Sequence, residues 1–552
     1  MIKKIILGFF LLIQSQFLFT QERLTENQKL ETLCKIWGFL KYYHQNVAKG
    51  AYDWDHQLIE KIKESEKLDT KKKFDKMISE WIDNLGEVEK CEKCNEKNDK
   101  VYFLKNFDLS WTDDENIFSK DIIEKLNYIE ENRNIDGDFY YSTKKDSNGY
   151  FGVKNEKQYD EKFPDKEIRL LELFRYWNTI EYFFPYKYQT DENWNDVLNE
   201  MIPEFADTKN RKEYLFAISK MVSKINDTHA FFMVTNRNVF YGNSQIPVQT
   251  KFLENQLLVT DFYTTKAPYS QILQKFDIIK KIDGKTPENI QNYYAQYIPA
   301  SNKWTLNKKI ANLYLYSFKD KIKLEIIRNN QPLEIEVETV KFADINYPEQ
   351  KKSTEKWIFL NDDKKIGYIN IGALKVEDVK DMFENLKTTE AIIFDVRNYP
   401  NLTTKEISKY LLPKKTLYYN WFLADTTYPG KFYAEKADIG QTNPNYYKGK
   451  VIALVNENTQ SQAETLTMML KQHPNITVIG SPTAGANGNV VRLEINGIKT
   501  MFSGLGAFYP DGKETQRIGI LPDIEIKPTI KGIQENRDQV LERALEYIKT
   551  GK

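Results

Sequence analysis

The chain has 552 residues, long enough for three or four domains of about 100–200 residues each. Hydrophobic residues make up 41% and aromatics 14%, which is a globular composition rather than a disordered one. Lysine and arginine balance aspartate and glutamate at 79 each, so the basic footprint of a general nucleic-acid binder is missing and no nucleic-acid partner is expected.

Residues 1–20 read as a signal peptide. Lys3 and Lys4 precede an apolar run over 5–19, interrupted by Gln14, Ser15 and Gln16, and a polar chain starts at Gln21. The alternative is an uncleaved anchor, but the continuous apolar run is short for a bilayer span. The expectation is an exported protein, periplasmic or extracellular, with no stable membrane span after signal removal. Of the three cysteines, Cys91 and Cys94 lie in CEKC; a local disulfide or free thiols fit better than zinc or redox catalysis, because further ligands and a βαβ setting are missing nearby.

The front half carries a repeat. LCKIWGFLKYYH from Leu33 matches LFRYWNTIEYFF from Leu173, and Trp37/Trp177, Tyr42/Tyr182, Trp54/Trp194, Phe74/Tyr214 and Ile78/Ile218 all stand at one fixed offset. A fixed offset without gaps is how duplication shows in sequence, and both copies have helical periodicity. The expected units are an N-terminal helical domain over 21–165, with the strand-like FYYST (139–143) and YFGVK (150–154) as a hairpin, and a second helical copy over 166–244. The second copy ends INDTHAFF where the first has LGEVEKCE, so His229 has no counterpart. It is one of only four histidines, placed at the end of that copy's last helix and followed by a strand-like run, Ala230 to Val234.

Residues 245–342 change to β character. TKFLENQLLVTDFY reads as two strands around Glu254-Asn255. LQKFDIIKKIDGKTPENIQNYY has a turn at Asp283-Gly284 and a helix from Pro287. KIKLEIIRNNQPLEIEVETV reads as two strands around Asn329-Asn330. Residues 343–530 alternate strands (366–371, 391–395, 451–455, 477–479) with helices (376–386, 463–471), an α/β pattern. Within residues 531–552 an amphipathic helix is expected over 533–548.

The chemistry centres on VIALVNENTQSQAETLTMML, residues 451–470: a buried strand, a polar turn, then a helix. That geometry lifts a nucleophile out of the backbone and aims the following N–H groups at a carbonyl, which makes Ser461 the candidate nucleophile. The plainer alternative is that Thr459 or Ser461 only caps the helix. There is no HExxH and the histidines are scattered, so neither a metal site nor a cofactor is expected.

Several segments carry a resemblance. DTH at Asp227, IIFDVRNYPN at 392–401, NENTQSQAE at 456–464, VIGSPTAGANG at 478–488 and QRIGILPDIEI at 516–526 together resemble the tail-specific (carboxyl-terminal processing) serine peptidase family, in particular its tricorn-like branch, over roughly residues 166–527. FDIIKKIDG, with Phe276 in the usual glycine position, resembles a PDZ domain. The resemblance implies a multidomain α+β chain: duplicated helical units, a PDZ-like β domain and an α/β catalytic domain of the crotonase-like, tail-specific protease type. The family's processing members place a lysine directly after TxG; here that residue is Ala486, which cannot take a proton. The tricorn-like branch uses a histidine preceded by a small hydroxyl residue, which Thr228-His229 matches. The resemblance therefore implies Ser461 as nucleophile and His229 as general base. Gln516 stands where the branch has a glutamate, with Glu514 as runner-up for orienting the ring and Thr228 as a further hydroxyl. The oxyanion donors implied are the backbone N–H groups of Gln462 and Asn401, although Asn401 and Leu402 replace the family's usual glycines. The implied function is an exported serine-type endopeptidase acting on peptides or unfolded protein tails. The alternative is a catalytically weak or inactive peptide-binding scaffold of the same fold.

Overall fold

A computed structural model describes residues 23–136, 139–142, 151–159, 161–232, 237–311, 313–347 and 354–552. The signal-peptide segment, and Met233 and Val234 after the histidine, lie outside the described residues.

Two sets of three helices frame the front half, with a further helix, Lys120–Glu131, between them in sequence. The first is α1 (Glu26–Tyr43), α2 (Trp54–Ser65) and α3 (Lys71–Asp83). The second is α4 (Lys166–Phe183), α5 (Trp194–Ala206) and α6 (Arg211–Ser223), and each of its helices starts 140 positions after its counterpart. The same tryptophan device closes both sets. Trp37 and Trp54 each donate the indole N–H to the other's carbonyl at 3.0 and 3.1 Å, and Trp177 and Trp194 do so at 2.8 and 3.1 Å. Buried indoles need an acceptor, and this exchange supplies one to each. Helices α1 and α4 lie side by side with equivalent residues touching. Glu26 pairs with Lys166 at one end, and the Tyr42 ring meets Tyr182 edge-on at 5.3 Å at the other. Between them Gly38 accommodates Asn178: a Cβ there would fall 1.7 Å from the amide oxygen. Contact of each residue with its own equivalent is the signature of two-fold packing.

The middle region is a five-stranded antiparallel sheet. Its strands are β1 (Val248–Leu253), β2 (Gln256–Phe262), β3 (Ile278–Ile282), β4 (Lys321–Arg328) and β5 (Gln331–Glu338), in spatial order β5-β4-β3-β2-β1. The β1–β2 and β4–β5 hairpins turn at Glu254-Asn255 and Asn329-Asn330, all four with positive φ, the mirror-image turn that suits strand twist. Helices α7 (Pro287–Ala295) and α8 (Lys303–Ile310) follow β3.

The α/β region carries a six-stranded sheet ordered β6 (Trp357–Phe359), β7 (Ile366–Asn370), β8 (Ala391–Asp395), β9 (Lys450–Val455), β10 (Ile476–Gly480), β13 (Ile524–Glu525). All but edge strand β6 run parallel. Parallel strands buried on both faces should be continuously apolar, as β8 and β9 are. Helix α9 (Gln462–Leu470) follows β9, and a hairpin, β11 (Val490–Ile495) and β12 (Ile498–Ser503), follows β10. Val491, Ile495, Ile498 and Phe502 of that hairpin sit in the same apolar core as the front helices. The back half thus reaches into the front half and locks the two together by shared burial.

Two expectations need correction. The tail is not one helix but two, Ile530–Gln534 and Gln539–Thr550: Asn536 turns left-handed at φ 54°, and Asp538 caps the second by accepting from Leu541 N at 3.1 Å. His229 lies in a loop beyond α6, whose end is Ser223, and Ala230 to Phe232 form no strand. The disulfide Cys91–Cys94 is formed, and short strands at Tyr141–Ser142 and Gly152–Val153 pair antiparallel. Among the described residues no helix is long and apolar enough to cross a membrane.

Candidate active site

Ser461 stands between β9 and α9 with φ 56° and ψ −120°. A side chain is rarely tolerated there, so the surrounding bonds must hold it. Ser461 N donates to Ala486 O at 2.9 Å. Thr459 Oγ1 donates to Val396 O at 3.0 Å, and Ala484 N returns to Thr459 O at 3.0 Å. The helix-cap alternative and the strained turn therefore coincide at one residue: Ser461 occupies the cap position of α9.

Glu464, wholly buried, ties this turn to the next one. It accepts from Thr483 Oγ1 (2.5 Å), Gly485 N (2.9 Å), Ala486 N (3.1 Å) and Ser461 N (3.3 Å). Burial pushes its carboxyl up to about 7, and each of those four donors pulls it back down. The glycines of the second turn have no substitute. Gly480 has φ +140° with Val455 O 1.9 Å from any Cβ, and Gly485 has φ +64° against the Arg517 backbone at 2.9 Å.

The histidine loop meets that turn through Thr228 and Ala484. His229 is buried, and its Nδ1 is 2.8 Å from Ser503 Oγ at the end of β12. Behind it is Asp227, fully buried, with Oδ1 3.8 Å from the same nitrogen. Asp227 accepts from Ser503 N (2.6 Å), His229 N (3.0 Å) and Gln516 Nε2 (3.4 Å). Burial lowers the His229 pKa; Asp227 raises it in part and the Lys309 charge lowers it further. The ring is therefore neutral near pH 7. Its Nε2 is buried with no hydrogen-bond partner.

Of the residues singled out in sequence, Thr228 and Ser461 meet the same tripeptide. Thr228 Oγ1 donates to Ala484 O at 3.3 Å, while Ser461 N donates to Ala486 O. Among the described residues no hydrogen bond joins His229 to Ser461. Gln516 contacts Asp227 rather than the ring. Glu514 is engaged by Tyr188 OH at 2.7 Å and Gln189 Nε2 at 2.8 Å, so neither glutamine nor glutamate orients the imidazole; Ser503 does. Thr228 Oγ1 is 3.0 Å from Thr305 Oγ1 and anchors the loop rather than the ring. Gln462 opens α9, where the helix offers its N–H no acceptor. Asn401 is exposed, and its side chain donates to Gly372 O (2.9 Å) and Leu374 O (3.0 Å), bracing the turn after β8. Sequence reasoning passed over Ser503 and Glu464. Glu464 was visible as the last residue of NENTQSQAE; Ser503 carries no local signal.

Residues 365–526 match the model of peptidase family S41. No curated protein matches the chain. Among solved structures, mature CPAF is similar with a TM-score of 0.54 at 13% identity, covering 70% of this chain and 98% of that one. At such identity the likeness is one of fold. The photosystem II D1 C-terminal processing protease (TM-score 0.36, 14% identity, 65% and 93% covered) and the tricorn protease (0.34, 15%, 70% and 37%) also match. The stretch 365–526, which holds Ser461, Glu464 and the turn at 483–486, is thus similar to peptidase family S41.

Proposed function

We propose that this chain is an exported serine-type endopeptidase that hydrolyses peptides or unfolded protein tails, with Ser461 as nucleophile and His229 as general base. One observation carries the reading: Ser461, strained at a helix start, and Thr228, the neighbour of the buried neutral His229, both hydrogen-bond the tripeptide 484–486. Nε2 of His229 has no hydrogen-bond partner and Nδ1 lies against Ser503 Oγ; with Nδ1 as the donor to Ser503, Nε2 presents the lone pair a base needs to take the hydroxyl proton and return it to the leaving amine. The N–H of Gln462 and one from the turn at Asn401 serve as oxyanion donors. In the same reading the front half is a duplicated helical unit, the five-stranded middle region is a PDZ-like module, and the boundaries fall near residues 165, 244, 342 and 530. Export is supported by the N-terminal lysines and apolar run and by the Cys91–Cys94 disulfide, which persists in oxidising compartments.

The test is covalent labelling with a fluorophosphonate, together with hydrolysis of a substrate with an unstructured C-terminus. Labelling at Ser461, lost with all turnover in Ser461→Ala at an unchanged melting temperature, is expected. Undiminished turnover in that variant ends the reading. The second reading, a peptide-binding scaffold, is favoured by the missing His229–Ser461 hydrogen bond and by Gln516 in place of a carboxylate. Peptide binding without labelling or cleavage is its outcome.

A further inference from the structure

Residues 301–310, a turn and the short helix α8 that follow the five-stranded sheet's α7, touch the histidine loop, the turn at Thr483-Ala484 and Arg517. Ser301 Oγ accepts from Thr228 N at 2.8 Å, and Ser301 N donates to Thr228 Oγ1 at 2.8 Å. Asn302 Nδ2 lies 3.1 Å from Thr483 O, 3.2 Å from Ala484 O and 3.2 Å from Arg517 O. Arg517 Nε reaches back to Ser301 O at 3.2 Å. The strongest grip is that of Lys309. Its ammonium donates to Thr228 O (2.9 Å), Ala230 O (3.0 Å) and Pro299 O (2.6 Å), so all three of its protons are used. Two of those carbonyls flank His229 on either side.

We propose that residues 301–310 align the two halves of the site, and that Lys309 is a positioning residue that fixes the His229 loop through the carbonyls of Thr228 and Ala230. This rests on the peptidase reading for its catalytic consequence, but not for the clamp itself. A charged amine in a three-carbonyl cage replaces water by fixed dipoles, and a loop so held cannot rotate the imidazole away from the nucleophile. A neutral amine has only two protons for these three acceptors, so one carbonyl must be released when the charge is lost. The titratable groups facing Lys309 are Asp227 and the neutral His229 across the loop and Lys308 on its own helix. Burial brings the Lys309 amine down to about 8, with Asp227 opposing and Lys308 assisting. The clamp is therefore complete below about pH 8 and loses a proton above it. Loss of the charge also removes the push that Lys309 exerts on His229.

The experiment compares Lys309→Met and Lys309→Arg with the wild type by hydrogen exchange of peptides spanning 227–232 and by the pH profile of kcat and KM. Lys309→Met should accelerate exchange in that segment and lower kcat by about 10- to 100-fold with KM little changed, the cost of a misplaced catalytic group. The wild type should lose activity above about pH 8. Lys309→Arg, which stays charged, should restore slow exchange and extend activity to higher pH. Exchange in Lys309→Met equal to wild type overturns the clamp. Exchange that changes while kcat and its alkaline limb do not overturns the positioning role. A wild type with no turnover and no Ser461 labelling refutes the peptidase reading instead, and the exchange result then decides the clamp alone. Should Lys309→Met fail to fold, Lys309→Arg still decides: an alkaline limb unmoved from about pH 8 counts against the proposal.

Discussion

Asp227→Asn probes the charge behind the histidine while keeping its shape. In the resting site the ring is neutral and gains little from the carboxylate. In the proposed mechanism, the imidazolium formed when Ser461 gives up its proton lies 3.8 Å from Asp227 Oδ1, with both groups buried. At an effective dielectric near 20 that pair is worth about 4 kcal/mol. Because the gain appears only as the ring charges, it belongs to the transition state, and its loss should cost kcat up to roughly three decades. The amide also puts an NH2 where one oxygen now accepts from Ser503 N or from His229 N, so a destabilisation of about 1–3 kcal/mol accompanies it. The assay is kcat/KM against pH at temperatures well below the melting point, with the melt recorded in parallel. The sign of the pH shift is fixed: Asp227 raises the His229 pKa, so its neutralisation must move the acid limb to lower pH. A variant within about fivefold of wild type, or an acid limb that moves upward, refutes the role given to Asp227.

Two further outcomes follow from buried and strained groups. Ser461→Gly should be more stable than Ser461→Ala by about 1 kcal/mol, since glycine relieves the φ 56°, ψ −120° backbone at some cost in chain entropy; a thermal melt in which the glycine variant unfolds first contradicts the strain. Acid should destabilise the fold through its buried histidines. Burial lowers His44 to about 4 and lowers His229 and His473 as well, so between pH 6.5 and 4 the unfolded chain binds protons that the native one refuses. His44 alone should remove about 3 kcal/mol over that interval, while buried Glu464 and Glu172, raised to about 7, work the opposite way; the measurement is therefore the pH dependence of urea midpoints in wild type against His44→Gln from pH 7 to 4, and an equal dependence in the two contradicts the burial argument.

Local features of the fold were legible because their causes are local. The turns at Glu254-Asn255 and Asn329-Asn330 announce left-handed backbone, and the structure has it at all four positions. The apolar runs of β8 and β9 announce burial on both faces, and both strands are buried. The repeat offset was readable because it needs no gap, and the helix starts keep it. The histidine's surroundings were not readable. Ser503 Oγ is 274 positions from the ring it holds, and Lys309 lies some eighty positions from the carbonyls it binds. Neither residue type nor spacing marks them, since a serine at a strand end and a lysine on a short helix usually face water. Gln516 drew attention through the resemblance, yet its amide reaches the carboxylate behind the ring and not the ring.

The departures from family pattern carry their own physical sense. Leu402 and Phe276 stand where glycines were expected, and both have positive φ, 61° and 76°. The backbone has kept the left-handed turn while the side chain that suits it has gone. Such a position persists only where neighbours fix it. At Leu402 the turn after β8 is braced by Asn401, whose amide bridges two carbonyls of the loop after β7. The turn that should supply an oxyanion donor is thus held by a side-chain bridge in place of glycine's freedom. Replacing flexibility by a fixed brace suits a site that must be ready before substrate arrives, because a preorganised donor needs no reorganisation during the reaction.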